Sequence, residues 1–296
     1  MPTRSAPLVP LAALLCVSAC GRPEAAKHTD SAAPAAAMAS AAGSSVAPAI
    51  MNIVTTDYHF DAPDTIGAGV VSMRLVNNGK EMHHVQLVRL HEGKTYADMM
   101  ATMQKMAPGS MPPAWMEVVG GPNAPSGTRE QLVTQELTPG AYALICVIPS
   151  PDGVPHMMKG MTRALTVVPA TGVAATMPTA DVNVTMTDYA WEVSTPITTG
   201  KHVIRLENAA VQPHEMFIVK LAPGKTAMDY VTWAEKPAGP PPGDAMGGTT
   251  AMTKGMPAFV SIDFAPGEYA MICFIPDVKD GKPHFVHGMI KQFKVT

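Results

Sequence analysis

GAYALICVIPSPDGVPHMMKGM (residues 140–161) returns near the C-terminus as GEYAMICFIPDVKDGKPHFVHGM (residues 267–289). Each stretch holds a Cys, then Pro-His, then Gly-Met: Cys146, His156 and Met161 in the first, Cys273, His284 and Met289 in the second. Thiolate, imidazole and thioether together form a soft-metal ligand set. Two copies that agree at those positions restrain each other's reading.

The repetition reaches well beyond these stretches. Thr56-Asp57-Tyr58 recurs as Thr187-Asp188-Tyr189, Arg74-Leu75 as Arg205-Leu206, and Asn77 as Asn208. His83 with Val88-Arg89-Leu90 recurs as His214 with Val219-Lys220-Leu221, at the same offset. The chain therefore reads as two copies of one domain of roughly 115 residues, each long enough for its own core.

The N-terminus points to a compartment. Arg4 precedes an apolar run from Pro7 to Val17, too short to span a bilayer as a mature helix but suited to a signal peptide. It ends in Val17-Ser18-Ala19-Cys20-Gly21, which resembles a bacterial lipobox in which Cys20 is lipidated. An ordinary secretory signal cut near Ala19 is the alternative. The following Ala/Ser/Pro-rich stretch cannot pack a core, and as a flexible coil it would reach roughly 30 Å. The expected organisation is a signal peptide (1–20), a tether (21–48), a first domain (49–169), a linker (170–181) and a second domain (182–296). The chain is expected outside the cytoplasm, as a lipoprotein of the periplasm or cell surface that meets the membrane only through its anchor. The net charge of −3, with acids and bases interspersed, leaves no basic stripe for nucleic acid.

With Cys16 leaving in the signal and Cys20 carrying lipid, Cys146 and Cys273 remain. In an oxidising compartment they could form a disulfide. That bridge would have to bring equivalent interior positions of two homologous domains within about 7 Å, Cα to Cα. One thiolate per copy, each followed by His and Met, fits metal ligation more naturally.

Val71, Met73 and Leu75 alternate with Ser72 and Arg74, and Ile204 and Leu206 flank Arg205, as in half-buried strands. Residues 142–146 are apolar throughout and predict a more buried strand. Thr95-x-x-Asp98 and Thr226-x-x-Asp229 predict the N-termini of one short helix in each copy. Each copy thus reads as a β-sandwich with one helical insertion. Met99, Met103 and Met106 are expected on one helical face, packed onto the sandwich; a methionine Cu(I) site that also draws on Met100, Met111 and Met116 is the alternative.

Both halves resemble the cupredoxins, the plastocyanin and azurin family of small Greek-key copper proteins. Asn77-x5-His83 and Asn208-x5-His214 resemble that family's first ligand motif. Cys146-x9-His156-x4-Met161 and Cys273-x10-His284-x4-Met289 resemble its C-terminal ligand loop, with a Cys-to-His stretch longer than plastocyanin's. The resemblance implies an all-β chain of two tandem Greek-key β-sandwiches holding two type 1 copper sites, with ligands His83, Cys146, His156 and Met161, and His214, Cys273, His284 and Met289. Such sites suit both Cu(I) and Cu(II); zinc is the runner-up metal, although Met is not among its usual ligands. His83 is preferred over His84 because His214 has Glu215 as its neighbour. His59, His91, His202 and His287 each lack a counterpart and read as surface or supporting residues. The one-residue difference between the ligand loops is expected to make the two sites inequivalent.

No His-x-His motif occurs, and Ile145, Val147, Ile272 and Phe274 flank the cysteines where a His would lead to a second copper. The expectation is therefore a protein that is not an enzyme: an electron carrier between redox partner proteins. A copper-binding or delivery lipoprotein is the alternative.

Overall fold

The computed structural model describes residues 46–106, 110, 112–125, 127 and 129–296. The signal peptide, Cys20, nearly all of the tether and Met111 lie outside the described residues. The first half comprises β1 (Ala49–Thr56), β2 (His59–Asp61), β3 (Thr65–Gly67), β4 (Gly69–Asn77), β5 (Gln86–Leu90), α1 (Tyr96–Met103), β6 (Met116–Val118), β7 (Glu130–Leu137), β8 (Gly140–Ile145) and β9 (Thr162–Val168). The second comprises β10 (Val182–Thr187), β11 (Ala190–Val193), β12 (Gly200–Asn208), β13 (His214–Leu221), α2 (Ala227–Glu235), β14 (Gly243–Met252), β15 (Pro257–Phe264), β16 (Gly267–Ile272) and β17 (Ile290–Val295). Residues 170–181 contain no strand or helix.

The fold is all-β and cupredoxin-like. In the first half β2-β1-β4-β7 faces the sheet β3-β9-β8-β5-β6; in the second β11-β10-β12-β15 faces β14-β13-β16-β17. β1 runs parallel to β4 with Asn52 opposite Arg74, and β10 runs parallel to β12 with Asn183 opposite Arg205. The same strand pairs meet in the same register in both halves.

The halves are joined in both layers. β7 pairs antiparallel with β15, Val133 opposite Val260, which fuses two four-stranded sheets into one of eight strands. Beyond β6 the chain runs antiparallel to β14 through bridges Val119–Met252, Pro122–Thr249 and Pro125–Met246. A Cβ on Gly247, at φ 99°, would lie 1.8 Å from Gln131 Oε1 of the first half, so this crowded junction requires glycine. One apolar cluster contains Leu75, Val133 and Leu144 together with Leu206, Val260 and Met271.

The insertions explain the unbroken apolar run of β8. Tyr142 and Leu144 point into the sandwich core, whereas Ala143 and Ile145 point outward and meet Met99 of α1. In β16 Tyr269 and Met271 point inward, while Ala270 and Ile272 meet Tyr230 and Val231 of α2. Both strands are therefore buried on two faces, and the period of two places Cys146 and Cys273 with the inward set.

Both helices begin with the predicted capping boxes, Thr95 with Asp98 and Thr226 with Asp229. The methionine face is shorter than expected. Met99 is buried and Met103 packs beside it, but α1 ends at Met103 and Met106 lies in the turn beyond. There the Lys105 and Met106 N–H groups donate to the Thr102 and Met103 carbonyls, tightening the chain out of the α-helical path.

Candidate metal centres

The ligand loop after β8 folds back on itself. The Met157 N–H donates to the Cys146 carbonyl (2.8 Å), the His156 N–H to the Ile148 carbonyl (2.9 Å), and the Cys146 N–H to the Met161 carbonyl (3.2 Å). A 3₁₀ turn, His156–Lys159, ends at Gly160 with φ 102°, and its counterpart His284–His287 ends at Gly288 with φ 105°. This left-handed step returns each Met beside its Cys and requires glycine, which accounts for the repeated Gly-Met. The second loop repeats the frame: Phe285 to Cys273 (3.0 Å), His284 to Ile275 (2.9 Å) and Cys273 to Met289 (3.1 Å).

The extra residue of the second loop is absorbed at its tip. The first tip closes from the Ser150 N–H to the Val154 carbonyl, the second from the Asp277 N–H to the Lys282 carbonyl. Both lie outside the Pro149–Pro155 and Pro276–Pro283 bridges. The backbone frame of the ligands is therefore alike in both loops, while the longer tip reaches the second centre through Val278, whose N–H donates to the Gln212 amide oxygen that faces His284 (2.9 Å).

The remaining imidazole comes from the loop after β4 or β12. Asn77 Nδ2 donates to the Glu81 carbonyl (2.8 Å) while its Oδ1 accepts from the Gly79 N–H (2.8 Å). Asn208 braces the second loop in the same way, onto the Gln212 carbonyl (2.8 Å) and the Ala210 N–H (2.9 Å). This bracing is the physical content of the Asn-x5-His spacing.

The donors converge. In the first half Nδ1 of His83 lies 3.0 Å from Nδ1 of His156, and Cys146 Sγ lies 3.4 Å from His156 Nδ1. In the second half Cys273 Sγ lies 4.0 Å from His214 Nδ1 and 3.5 Å from His284 Nδ1. A triangle with such edges has its centre about 2 Å from each corner, within the usual range of metal–nitrogen and metal–sulfur bonds. All six residues are fully buried, as are Met161 and Met289. Cys146 and Cys273 are free thiols in separate groups, so the alternative disulfide does not form. A buried trio of one sulfur and two imidazoles is a copper donor set, and the chain has two such copper sites.

Burial sets the charge state. It pushes the Cys146 thiol up to about 12, and raises Cys273 further, with the Glu215 carboxylate adding to the effect. His83 and His214 are held below their ordinary value by burial, against the pull of Asp57 and Asp188. Burial and the neighbouring His214 lower His284 to about 4. Burial thus favours the neutral, ligand-ready form of His83, His214 and His284, beside thiols that need a cation before they ionise.

Outside each triangle lies a second layer of partners beyond those expected from the sequence. His83 Nε2–H donates to Asp57 (2.7 Å) and His156 Nε2–H to Glu81 (2.8 Å). His214 donates to Asp188 (3.2 Å), but His284 faces the Gln212 amide oxygen at 3.4 Å, with Asp277 3.9 Å away. The repeated Thr-Asp-Tyr was the available signal for Asp57 and Asp188. Tyr58 donates to Glu81 (2.7 Å), while Tyr189 donates to Asp277.

The supporting histidines are also placed. His84 turns away from the donors and accepts the Val147 N–H on Nε2 (3.1 Å); burial lowers it to about 3. Its counterpart Glu215 accepts the Phe274 N–H (2.9 Å), and burial raises it to about 7. His91 pairs with Glu117, His202 with Asp181 and His287 with Asp280; His59 is exposed.

No family model and no curated protein matches the chain. Among solved structures it is similar to a dithionite-reduced auracyanin from the photosynthetic bacterium Roseiflexus castenholzii, with 19% identity over 42% of this chain and 100% of that one and a TM-score of 0.31. It is also similar to a blue copper oxidase from Nitrosomonas europaea, with 13% identity over 84% of this chain and 86% of that one and a TM-score of 0.25. A copper-containing nitrite reductase from Thermus scotoductus SA-01 shows 9% identity over 83% of this chain and 61% of that one, with a TM-score of 0.22. These similarities correct one expectation. The chain was read as not an enzyme, yet the structures it is similar to include multicopper oxidases, a laccase and a nitrite reductase, and that exclusion is withdrawn.

Proposed function

We propose that this chain is a copper-binding electron-transfer protein with two mononuclear type 1 centres, one in each of two tandem domains (49–169 and 182–296). The observation that carries the reading is the pair of buried donor triangles, Cys146 with His83 and His156 and Cys273 with His214 and His284. Copper in such a site supplies one-electron chemistry between Cu(I) and Cu(II).

The protein's own groups serve that chemistry in definite ways. Asp57, Glu81 and Asp188 hold the Nε2–H of their imidazoles, which leaves Nδ1 free to face the metal and fixes ring orientation. The closed ligand loop and full burial exclude water and restrict rearrangement when the charge changes. Met161 and Met289, buried beside their cysteines, would add a thioether to each donor set, which favours the reduced ion. Redox partner proteins would supply and remove the electrons. The lipobox-like run ending at Cys20 supports a lipid anchor outside the cytoplasm.

A redox titration of the copper-loaded protein tests the reading. A strong visible band from thiolate-to-copper charge transfer should bleach on reduction and return on reoxidation. Copper that binds without such a band, and exchanges readily to a chelating partner, would instead support the delivery role. Palmitate labelling tests the anchor: the label should be lost in Cys20→Ser together with membrane attachment.

A further inference from the structure

A line of buried polar groups, side chain and backbone, runs from one ligand cysteine to the other. It begins at Val147, the residue after Cys146, whose N–H donates to His84 Nε2 at 3.1 Å. His84 is bonded to Val85, whose N–H donates to the Pro122 carbonyl at 2.9 Å, and Asn123 follows Pro122. Asn123 Nδ2 donates to Glu215 Oε2 at 3.1 Å and to the Thr249 carbonyl at 3.1 Å. The other oxygen of Glu215 accepts the N–H of Phe274 at 2.9 Å, and Phe274 follows Cys273. The two ends are equivalent: in each half the residue beside a ligand His captures the N–H of the residue after the ligand Cys.

The chemistry of Asn123 suits this arrangement. A primary amide presents an acceptor and a donor at once: Asn123 Oδ1 accepts the Ala124 N–H (2.8 Å) while Nδ2 donates to the Glu215 carboxylate. It lies where the chain beyond β6 runs beside β14, the junction between the halves, and its own N–H donates to the Gly248 carbonyl (3.0 Å). His84, Asn123 and Glu215 are all buried. Apolar side chains would join the halves without the cost of burying a carboxylate. A network needed only for adhesion would also not have to end on both cysteine-bearing loops.

We infer that the line from Val147 and His84, across the Val85–Pro122 hydrogen bond to Asn123, and on through Glu215 to Phe274 is a coupling path for electron transfer between the two copper centres. The inference rests on the type 1 reading above. One electron leaves the reduced centre and arrives at the oxidised one; no bond is made or broken and no proton is displaced, so the exchange balances with the two coppers alone. Buried hydrogen bonds, polarised in a low-dielectric interior, provide the contacts where covalent connection is absent.

The test is pulsed one-electron reduction of fully copper-loaded, oxidised protein, followed by optical and rapid-freeze EPR detection. Wild-type protein should show a phase in which the electron redistributes between centres at a rate independent of protein concentration. Asn123→Ser, and separately Asn123→Leu, should slow that phase by at least an order of magnitude, with copper content, visible spectrum and both potentials unchanged. Asn123→Gln should recover part of the rate. An undiminished phase in a variant that retains both coppers would overturn the proposal. So would a wild-type protein that redistributes its electron only through encounters between molecules, an outcome readable even if no variant folds. A copper-loaded protein without charge-transfer absorption would sink the type 1 reading instead, at an earlier and separate step.

Discussion

In the first half each ligand imidazole rests on a carboxylate, His83 on Asp57 and His156 on Glu81. In the second half His214 keeps Asp188 at a longer 3.2 Å, and His284 meets the neutral amide of Gln212. Gln212 stands where Glu81 stands, and Asp277 stands where Ser150 stands, so a carboxylate has moved from the His-bearing loop to the ligand loop. Asp277 is then spent on Gln212 Nε2 (2.9 Å) and on Tyr189, which hold it well below the usual carboxylate range. A second difference lies beside the other imidazole. Gly79 leaves room for Asp57 to reach His83, because a Cβ there would be 2.5 Å from Asp57 Oδ1 and 2.6 Å from His83 Nε2; the second half has Ala210 at this position. Identical donors can thus be held in different electrostatic surroundings, and the outer partners, Gln212 with the Asp277 and Val278 of the longer loop among them, make the halves unlike.

The largest expected effect tests whether the halves differ in stability at all. Removing copper should lower the melting temperature markedly, since a ligand at a thousand times its Kd contributes about 4 kcal/mol. The shared sheet and common apolar cluster predict that both halves unfold together. Calorimetry of apo and loaded protein checks this, and two resolved transitions in the apo form would break the expectation. Next comes Gly79→Ala, which forces a methyl against Asp57 and His83; overpacking of this kind costs about 1–3 kcal/mol. Ala210→Gly should cost less. Denaturant midpoints of the two apo variants compare them directly.

Electrostatics sharpens the comparison further. An ionised partner on Nε2–H makes an imidazole more basic and favours the more highly charged ion, so the first-half copper should have the lower potential. Glu81→Gln should raise it toward the second, by up to about 59 mV if the carboxylate contributes a tenfold preference. Redox titration with the other centre removed reads this, and an unchanged potential would separate Glu81 from the tuning. The smallest effects lie at the two helix caps. Thr95→Ala and Thr226→Ala should each cost about 1 kcal/mol. Hydrogen bonds from Thr95 lower Asp98, and those from Thr226 lower Asp229. That contribution is present above the unfolded carboxylate pKa and disappears as pH falls through the folded one, so the cost of either substitution should shrink in acid.

Much of the frame was legible because it recurs. The apolar run before Cys146, the Gly before Met161, the Asn before His83 and the helix capping box each appear twice, and each reflects a local backbone requirement. What escaped reading depends on tertiary placement. Asp57 recurs as Asp188, yet nothing local says that it backs a histidine. Glu81 and Gln212 differ between the copies, so repetition hid their shared position. Asn123 has no marked counterpart, and its importance comes from a junction that only β14 creates. The pairing of β7 with β15 was equally silent, since an edge strand does not announce its neighbour. Met106 was assigned to a helical face by period alone, which could not register that the helix had already ended.

The most direct test of the account is copper stoichiometry with the visible spectrum of wild type, Cys146→Ser, Cys273→Ser and the double variant. The account predicts two coppers in the wild type, one in each single variant with part of the charge-transfer band retained, and none bound in this way in the double variant. Loss of both coppers and the whole band from one single substitution, in a protein that remains folded, would contradict the existence of two independent centres.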